Sequence, residues 1–441
     1  MNSDRRPRLW TSIVLAGCLA MQMVLVSAAH AQGWKTVDQM SDDFKTLYDP
    51  SVNTPRDGQF PYMPAERFPF KAPFTTEEIA YRASEFAHVS RWPGTITDVF
   101  GVITSSGYIN QGETIFYITQ DTGVGYAAYL YESVPGKVYS RWMTYDTFPP
   151  ENEGLQQLWI PYRTDKEFRT KMDYFIYSPQ LRRVRRQPEP RRDQRFPDNA
   201  QTFDDVMGRD PWEFEWELLG TDVLYETVRY PSTRATIMIN TGEGNFVETN
   251  TASIKPMGDD FPRYTADGGV QCWVLKATAK PDWLPGYGEK YLIYWFEKGS
   301  FFPLRQEKYD ENDKLIGIEV RSAELQRPDL GEHGYSSWQS VYWYIPNDLL
   351  SYSVHNPHRH HDWTQEEKDT IFNAEFMRRD WLVEPMKSQV LIDAPENFFL
   401  RPNVFPGKFP SVRNTALPPE VDVRYQAQEA AGKLVFETGT Q

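Results

Sequence analysis

Positions 291–296, Tyr291-Leu-Ile-Tyr-Trp-Phe296, are apolar or aromatic without exception. In an extended strand successive side chains point to opposite faces, so both faces of this run are apolar. A strand wet on one side would alternate with polar residues. The fold must therefore cover this part of a sheet on both sides. One face can pack beneath helices while the other lines a cavity, or the strand can lie between two packed layers. The flanking runs 272–277, 302–309 and 315–320 read as partners in a β meander, with a hairpin turn at 310–313. Earlier runs at 101–104, 113–119, 126–131 and 138–143 show the same spacing of short strands and turns. Aromatic residues make up 15% of the chain, including 14 Trp and 25 Tyr. That suits a β-rich core, and it equally suits a cavity lined by rings. The expected class is mainly β (α+β), built on a large antiparallel sheet.

Helices are expected at three places. Val37, Met40, Phe44 and Leu47 have helical spacing within 34–48. Thr75 and Glu78 form a capping box, opening a helix that buries Ile79, Ala83, Phe86 and Ala87 and ends before Pro93. Thr364 and Glu367 form a second box, opening a helix to about Arg379.

The N-terminus reads as an export signal. Arg5, Arg6 and Arg8 precede an apolar stretch, and Ala29-His30-Ala31 is a small-residue cleavage site. Cleavage after Ala31 would leave Cys272 as the only cysteine, hence no internal disulfide. The alternative is a lipoprotein anchored through Cys18, since Leu15-Ala16-Gly17-Cys18 is a lipobox. The expected organisation is a signal peptide over 1–31, a helical and irregular segment over 32–92, a β domain over 93–402, and a Pro-rich then polar tail over 403–441. The expected location is the periplasm.

Seven arginines fall within the 14 positions 182–195: Arg182, Arg183, Arg185, Arg186, Arg191, Arg192 and Arg195. The chain's net charge is −14, so this concentration is not compositional drift. An aromatic strand, 174–177, and the turn-former Ser178-Pro179 precede it. Asp204, Asp205, Trp212, Phe214 and Trp216 follow. The arginines can pair with the chain's own Asp193, Asp204 and Asp205. They can bind anionic headgroups or a polyanionic partner, because guanidinium matches phosphate with paired hydrogen bonds. They can also dock an acidic surface on a transporter. The acidic balance of the chain and its export argue against nucleic acid.

Two blocks carry a family resemblance. The first is the aromatic strand, Ser-Pro, Leu181-Arg-Arg-Val-Arg-Arg186 and then 202–208 with its Asp pair. The second is Trp273-Val-Leu-Lys, Ile293-Tyr-Trp-Phe-Glu297, Pro303-Leu-Arg and Tyr309-Asp with a turn. Both resemble periplasmic proteins described as outer-membrane lipoprotein-sorting proteins. The longer family called domain of unknown function 1329 resembles nearly the whole chain after the signal, and its members look like relatives of the lipoprotein carriers LolA and LolB. The resemblance implies an open half-barrel, a strongly curved antiparallel sheet closed by helices over an apolar cavity. It also implies partners such as an RND-type exporter or an outer-membrane barrel, near which members tend to be encoded.

The expected function is a periplasmic carrier for a lipid or other hydrophobic molecule, accessory to an envelope transporter. Trp273, Tyr291, Ile293 and Trp295, bulky strand positions, are the candidate lining residues, with the inward face left open. Arg182, Arg183, Arg185 and Arg186 are the candidate headgroup or partner contacts. The alternatives are a glycan-binding or glycan-modifying protein and a structural adaptor with a fully packed core. No phosphate-cradling, dinucleotide-binding, zinc-protease or serine-hydrolase signature occurs, so nothing favours an enzyme, and no cofactor is implied. His355, His358, His360 and His361 cluster in what reads as a loop without standard metal-ligand spacing. Positions 310–321 lack the Gly and Glu of a calcium loop. Cys272, in an apolar run, reads as a buried inert thiol.

Overall fold

A computed structural model describes residues 33–52, 70–87, 93–104, 109–121, 135–197, 199–225, 236–240, 246–250, 255–258, 260–325, 331–332, 334–355, 359–360 and 363–378. Residues 1–32, the 126–131 run and the tail lie outside them. A short strand, β1 (Lys35–Thr36), precedes the helices α1 (Asp42–Lys45) and α2 (Thr76–Ala87). A meander follows: β2 (Gly94–Ile103), β3 (Ile109–Gln120), β4 (Ser140–Phe148), β5 (Gln156–Pro161), β6 (Met172–Ser178) and β7 (Arg183–Gln187). A connecting strap containing α3 (Phe203–Met207) leads to β8 (Phe214–Leu224). Among the described residues the hairpin β9 (Thr236–Asn240) and β10 (Phe246–Asn250) pairs only with itself. A second meander joins β11 (Val270–Ala279), β12 (Tyr291–Glu297), β13 (Pro303–Tyr309), β14 (Leu315–Leu325), β15 (Tyr335–Tyr344) and β16 (Leu349–His355). The two-residue β17 (Arg359–His360) and α4 (Gln365–Ile371) complete the described chain.

The two meanders form one antiparallel sheet because β16 pairs with β2, placing His355 opposite Asp98 and Ser353 opposite Phe100. Its order runs β1-β8-β11-β12-β13-β14-β15-β16-β2-β3-β4-β5-β6-β7, so β7 and β1 are its two open ends. The sheet is strongly curved. From β13 to β5 is seven strand steps, or about 34 Å if flat at about 4.8 Å per step. Yet α3, about 7.5 Å long, reaches both. Its Phe203 and Met207 pack with Trp159 of β5, and its Asp205 pairs with Lys308 of β13. The fold is therefore an open half-barrel with the strap across its concave face.

Both faces are covered. On the concave side, the N-terminal segment and α2 cover the β8–β12 end. Phe44 meets the Trp273 ring edge-on at 4.6 Å and Phe74 meets Phe301 at 5.3 Å. On the convex side, Met257 and Phe261 pack over Val270, Cys272, Ile293 and Trp295. Trp363, Ile371 and Phe376 pack over Ile115, Met143 and Leu158. The 291–296 run is accordingly sandwiched: Leu292, Tyr294 and Phe296 face one core, Ile293 and Trp295 the other.

The helix expected over 34–48 is not continuous. Trp34 packs against Trp295 on the convex side, whereas Phe44 packs against Trp273 on the concave side. The chain rounds the sheet edge between them, which one straight helix could not do. It is split into β1, a single turn at Val37–Gln39, and α1. β1 fits because Gly220 of β8 has φ +151, and a Cβ there would stand 1.8 Å from the Lys35 carbonyl oxygen. These N-terminal elements share the β domain's core, so position 93 does not divide two cores. The first capping box is formed: Thr75 N–H donates to Glu78 (2.9 Å) and Glu78 N–H to Thr75 (3.2 Å). α2 buries Ile79 and Ala83; the side chains of Phe86 and Ala87 lie outside the description. α4 stops at Ile371, short of 379. The Asn373 amide donates to the Asp369 and Thr370 carbonyls and its oxygen accepts from Glu375 and Phe376 N–H, which ends the helix. The 310–313 hairpin turn forms as expected, with Asp310 accepting from Asn312 and Lys314 N–H.

Buried ion pairs fix the strap. Arg192 donates to Asp204 (2.7 Å) and Glu213 (2.6 Å). Arg209 donates to Asp205 (3.0 Å) and Glu289 (2.6 Å). Lys308 reaches Asp205 and Glu289, and Lys171 pairs with Asp210 at 2.7 Å. Asp205 also accepts from Thr202 N–H, capping α3. Burial alone would raise the Asp205 carboxyl. The Lys308 ammonium and the Arg209 guanidinium outweigh burial and hold it well below the usual carboxylate range. Removing one partner of such a network leaves uncompensated buried charge, at a cost of about 3–5 kcal/mol. Asp205→Ala is expected to lower the unfolding free energy by about that much in urea titration. A change under about 1 kcal/mol would show that the strap is held by its aromatic contacts alone.

Candidate functional site

Where the strap leaves the sheet uncovered, a cavity of about 520 Å³ lies against the concave face of β2–β6 and β14–β16. Strap residues Phe196, Asn199, Gln201 and Val206 form its roof. A second cavity, of about 470 Å³, lies toward Arg191, Arg195, Gly317 and Trp343, and Tyr342 borders both.

Strand register organises the wall of the larger cavity into rows. His355, Asp98, Thr114 and Asp146 stand opposite one another across β16, β2, β3 and β4. Ile96, Phe116, Thr144, Gln157 and Ile176 form the next row, across β2 to β6. On the other side of the polar row lie Arg321, Ser340, Ser353 and Phe100. Phe100 extends over Gly112, where a Cβ would stand 2.3 Å from its ring. The wall thus combines an aromatic and aliphatic strip with a band of buried polar groups.

Within that band Ser353 donates to Asp98 (2.7 Å) and lies 3.0 Å from His355 Nε2. His355 Nδ1 faces the Ser337 carbonyl at 3.1 Å. This differs from a hydrolytic triad, in which the carboxylate sits on the ring nitrogen away from the serine. Here Asp98 and Ser353 share the Nε2 side, so the serine proton is directed to the carboxylate. Arg321 is paired with Glu319. Asp146 is buried, and burial raises its carboxyl to about 7, opposed by the Thr114 hydroxyl. The buried Thr144 hydroxyl on the same wall has no hydrogen-bond partner among the described residues.

The residues singled out in the sequence are placed as follows. Trp273 faces the concave side but is fully buried under Phe44, its indole N–H donating to the Lys298 carbonyl at 3.0 Å. Ile293 and Trp295 face the convex core, Trp295 donating to Asp222 at 3.0 Å. Tyr291, on that same side, stacks on Tyr309 at 4.7 Å. The four are split between two faces, and none of them borders the described cavities. Bulk and apolarity alone selected them, and these are the properties of a packed core.

The arginines divide too. Arg192 is buried on Asp204 and Glu213, Arg191 pairs with Asp193 and Arg186 with Asp173, and Arg195 stacks on Tyr344 at 3.4 Å. Arg182, Arg183 and Arg185 are exposed on the β6–β7 hairpin at the sheet's open end, beside Leu181, which is 55% exposed. Among the described residues no ion pair engages these three. Cys272 is buried and points to the Val270 carbonyl. No metal-holding cluster occurs among the described residues, and His358 and His361 lie outside them. The cavity residues Asp98, Thr114, Thr144 and Asp146 were missed because they are spread over three strands, β2, β3 and β4, with no motif spacing among them. Alternation with apolar neighbours was the available signal, and only the pairing register brings them together.

A family description, protein of unknown function DUF1329, matches residues 59–378. The chain belongs to the DUF1329 family. Solved structures similar to this DUF1329 protein include a DUF1329 family protein from Desulfovibrio piger, with 14% identity over 68% of this chain and 97% of the other, TM-score 0.46. A domain from Vibrio parahaemolyticus named for outer membrane lipoprotein sorting shares 12% identity over 69% and 98%, TM-score 0.46. A LolA superfamily protein from Nitrosomonas europaea shares 11% over 69% and 99%, TM-score 0.41. No curated protein matches.

Asp146 gives this DUF1329 protein a measurable pH signature. An unfolded aspartate titrates near 3.9, whereas folded Asp146 holds its proton to about 7. Its contribution to stability is complete below about pH 4 and is lost as pH rises through about 7, by at most about 4 kcal/mol. Asp146→Asn is expected to remove that slope, so the variant gains stability over the parent progressively from about pH 4 to pH 7.5 in urea titrations. Parallel pH profiles for the two proteins would refute the assignment.

Proposed function

We propose that this protein is a periplasmic carrier that holds one hydrophobic or amphipathic molecule between the concave sheet and the strap, and passes it on without chemistry. The observation that carries this reading is the 520 Å³ cavity with an aromatic and aliphatic strip along one side. Pockets of about 300–1,000 Å³ accommodate small ligands, and burying apolar surface contributes about 25 cal/mol per Å². The strap is a natural gate, since Phe196, Asn199, Gln201 and Val206 roof the cavity. Native mass spectrometry of protein purified from its own host, followed by organic extraction, is expected to show a bound mass that extracts as a lipid-like hydrophobe. Ile176→Trp, which fills the strip from the half-exposed β6 position, is expected to cut ligand retention about tenfold with little change in melting temperature. Unchanged retention would remove this cavity from consideration.

The Arg182, Arg183 and Arg185 hairpin is the proposed docking element, with Arg186 contributing only on leaving Asp173. Three exposed guanidinium groups around exposed Leu181 suit an anionic lipid surface, where each charge adds about 1 kcal/mol. Replacing all four arginines with Ser is expected to abolish co-sedimentation with vesicles rich in phosphatidylglycerol. Equal sedimentation of parent and variant would exclude a lipid surface as the docking target. An exporter or outer-membrane barrel would then be sought by pull-down with the same variant.

A glycan-binding reading is favoured by one feature, the Trp159 ring beside Gln157 and Asp146 on the same wall. Melting-temperature shifts with soluble glycans and none with lipids would establish it instead.

A further inference from the structure

The cavity's polar band implies a head-group preference, an inference that rests on the carrier reading. Asp98 and Asp146 lie two strands apart on one face, about 10 Å between backbones, with Thr114 between them. Beside Asp146 on the same strand and face, the buried Thr144 hydroxyl lacks a partner among the described residues. The described cations on this wall are already engaged. Arg321 is paired with Glu319. His355, a neutral or charged imidazole, has its Nε2 beside Ser353 and Asp98 and its Nδ1 at the Ser337 carbonyl, and so does not count as a free cation. Lys308 and Arg209, beneath the strap, are held by Asp205 and Glu289.

A carboxylate or phosphate head in this cavity would face two carboxyl groups and no uncommitted cation among the described residues. It would lose its hydration and gain in exchange only neutral O–H donors such as Thr144, with no opposite charge to offset its own. A head that donates hydrogen bonds meets acceptors at Asp98, Thr114, Thr144 and Asp146, and a cationic donor gains charge-assisted bonds as well. We propose that the cavity selects amphipaths with a donor head, ammonium or hydroxyl, and discriminates against anionic heads. The head would seat across Asp98, Thr114 and Asp146, with the tail along Phe116, Trp159 and Ile176.

The test uses one chain length with three heads. Binding of dodecylamine, dodecanol and dodecanoate to the full protein is measured by calorimetry below their aggregation concentrations. Dodecylamine is expected to bind at least about tenfold more tightly than dodecanoate, with dodecanol between them or equal to the amine, which would mark hydrogen-bond donation rather than charge as the selector. In Asp146→Asn, and separately in Asp98→Asn, the amine-to-carboxylate gap is expected to narrow to about threefold or less. If dodecanoate binds the parent protein as well as the amine does, the head-group inference fails and the carrier reading stands. An unchanged gap in both variants also overturns it. If no head binds, the carrier reading itself fails. The ranking in the parent protein decides the matter even if one variant does not fold.

Discussion

The concave face depends on one physical constraint: a five-residue helix must carry two adjacent aspartates into the middle of a curved sheet without leaving either uncompensated. Asp204 is met by Arg192 from the strap itself and by the Tyr287 hydroxyl. Asp205 is met by Arg209 from the strap and by Lys308 from β13. Charges taken out of water are tolerated only when paired and hydrogen-bonded this fully. The network therefore fixes where the strap lies to within side-chain reach. Curvature follows from the same requirement, because Lys308 and Trp159 lie seven strand steps apart in the sheet and both must touch α3.

The cavity is what that placement leaves behind. The aromatic residues Phe203 and Phe196 anchor the strap to Trp159 and Tyr174, while the ion network anchors it to β13 and Glu289. Between the two anchors the sheet face from β14 to β4 carries a band of small polar side chains, Ser340, Ser353, Thr114 and Asp98, beneath the roof of the strap. Small residues under a fixed roof leave space, and polar ones give that space chemical direction. The same face at the β8–β12 end carries Trp273, Leu275 and Phe296 and is filled by the N-terminal helices. One continuous sheet thus has a dry packed end and an open polar-walled end.

Much of the fold was legible in the chain. Strand runs, the 310–313 turn and the Thr75–Glu78 capping box rest on contacts between near neighbours, and local pattern reports those. The apolar 291–296 run correctly required cover on both faces. The reading failed where a segment changes sides of the sheet: Trp34 and Phe44 lie within the one helix expected over 34–48 but meet opposite faces of the sheet. It also failed at the arginine run, part of which is β7, an edge strand whose exposed arginines have no apolar alternation to reveal it. Charge alone did not separate Arg192, buried on two carboxylates, from Arg183, exposed on the hairpin.

The candidate site divides along the same line. By itself the sequence determined that a wide antiparallel sheet forms, that a basic then acidic segment interrupts it, and that both faces of its 291–296 strand are apolar. These follow from the period-two alternation of side chains and the local chemistry of turns and caps. Only the tertiary structure decided which bulky residues are core and which face a cavity. It alone assembled Asp98, Thr114, Asp146 and His355 into one row. The four are scattered from position 98 to position 355. Their neighbourhood is set by cross-strand register and by the β16–β2 pairing, which local pattern does not encode.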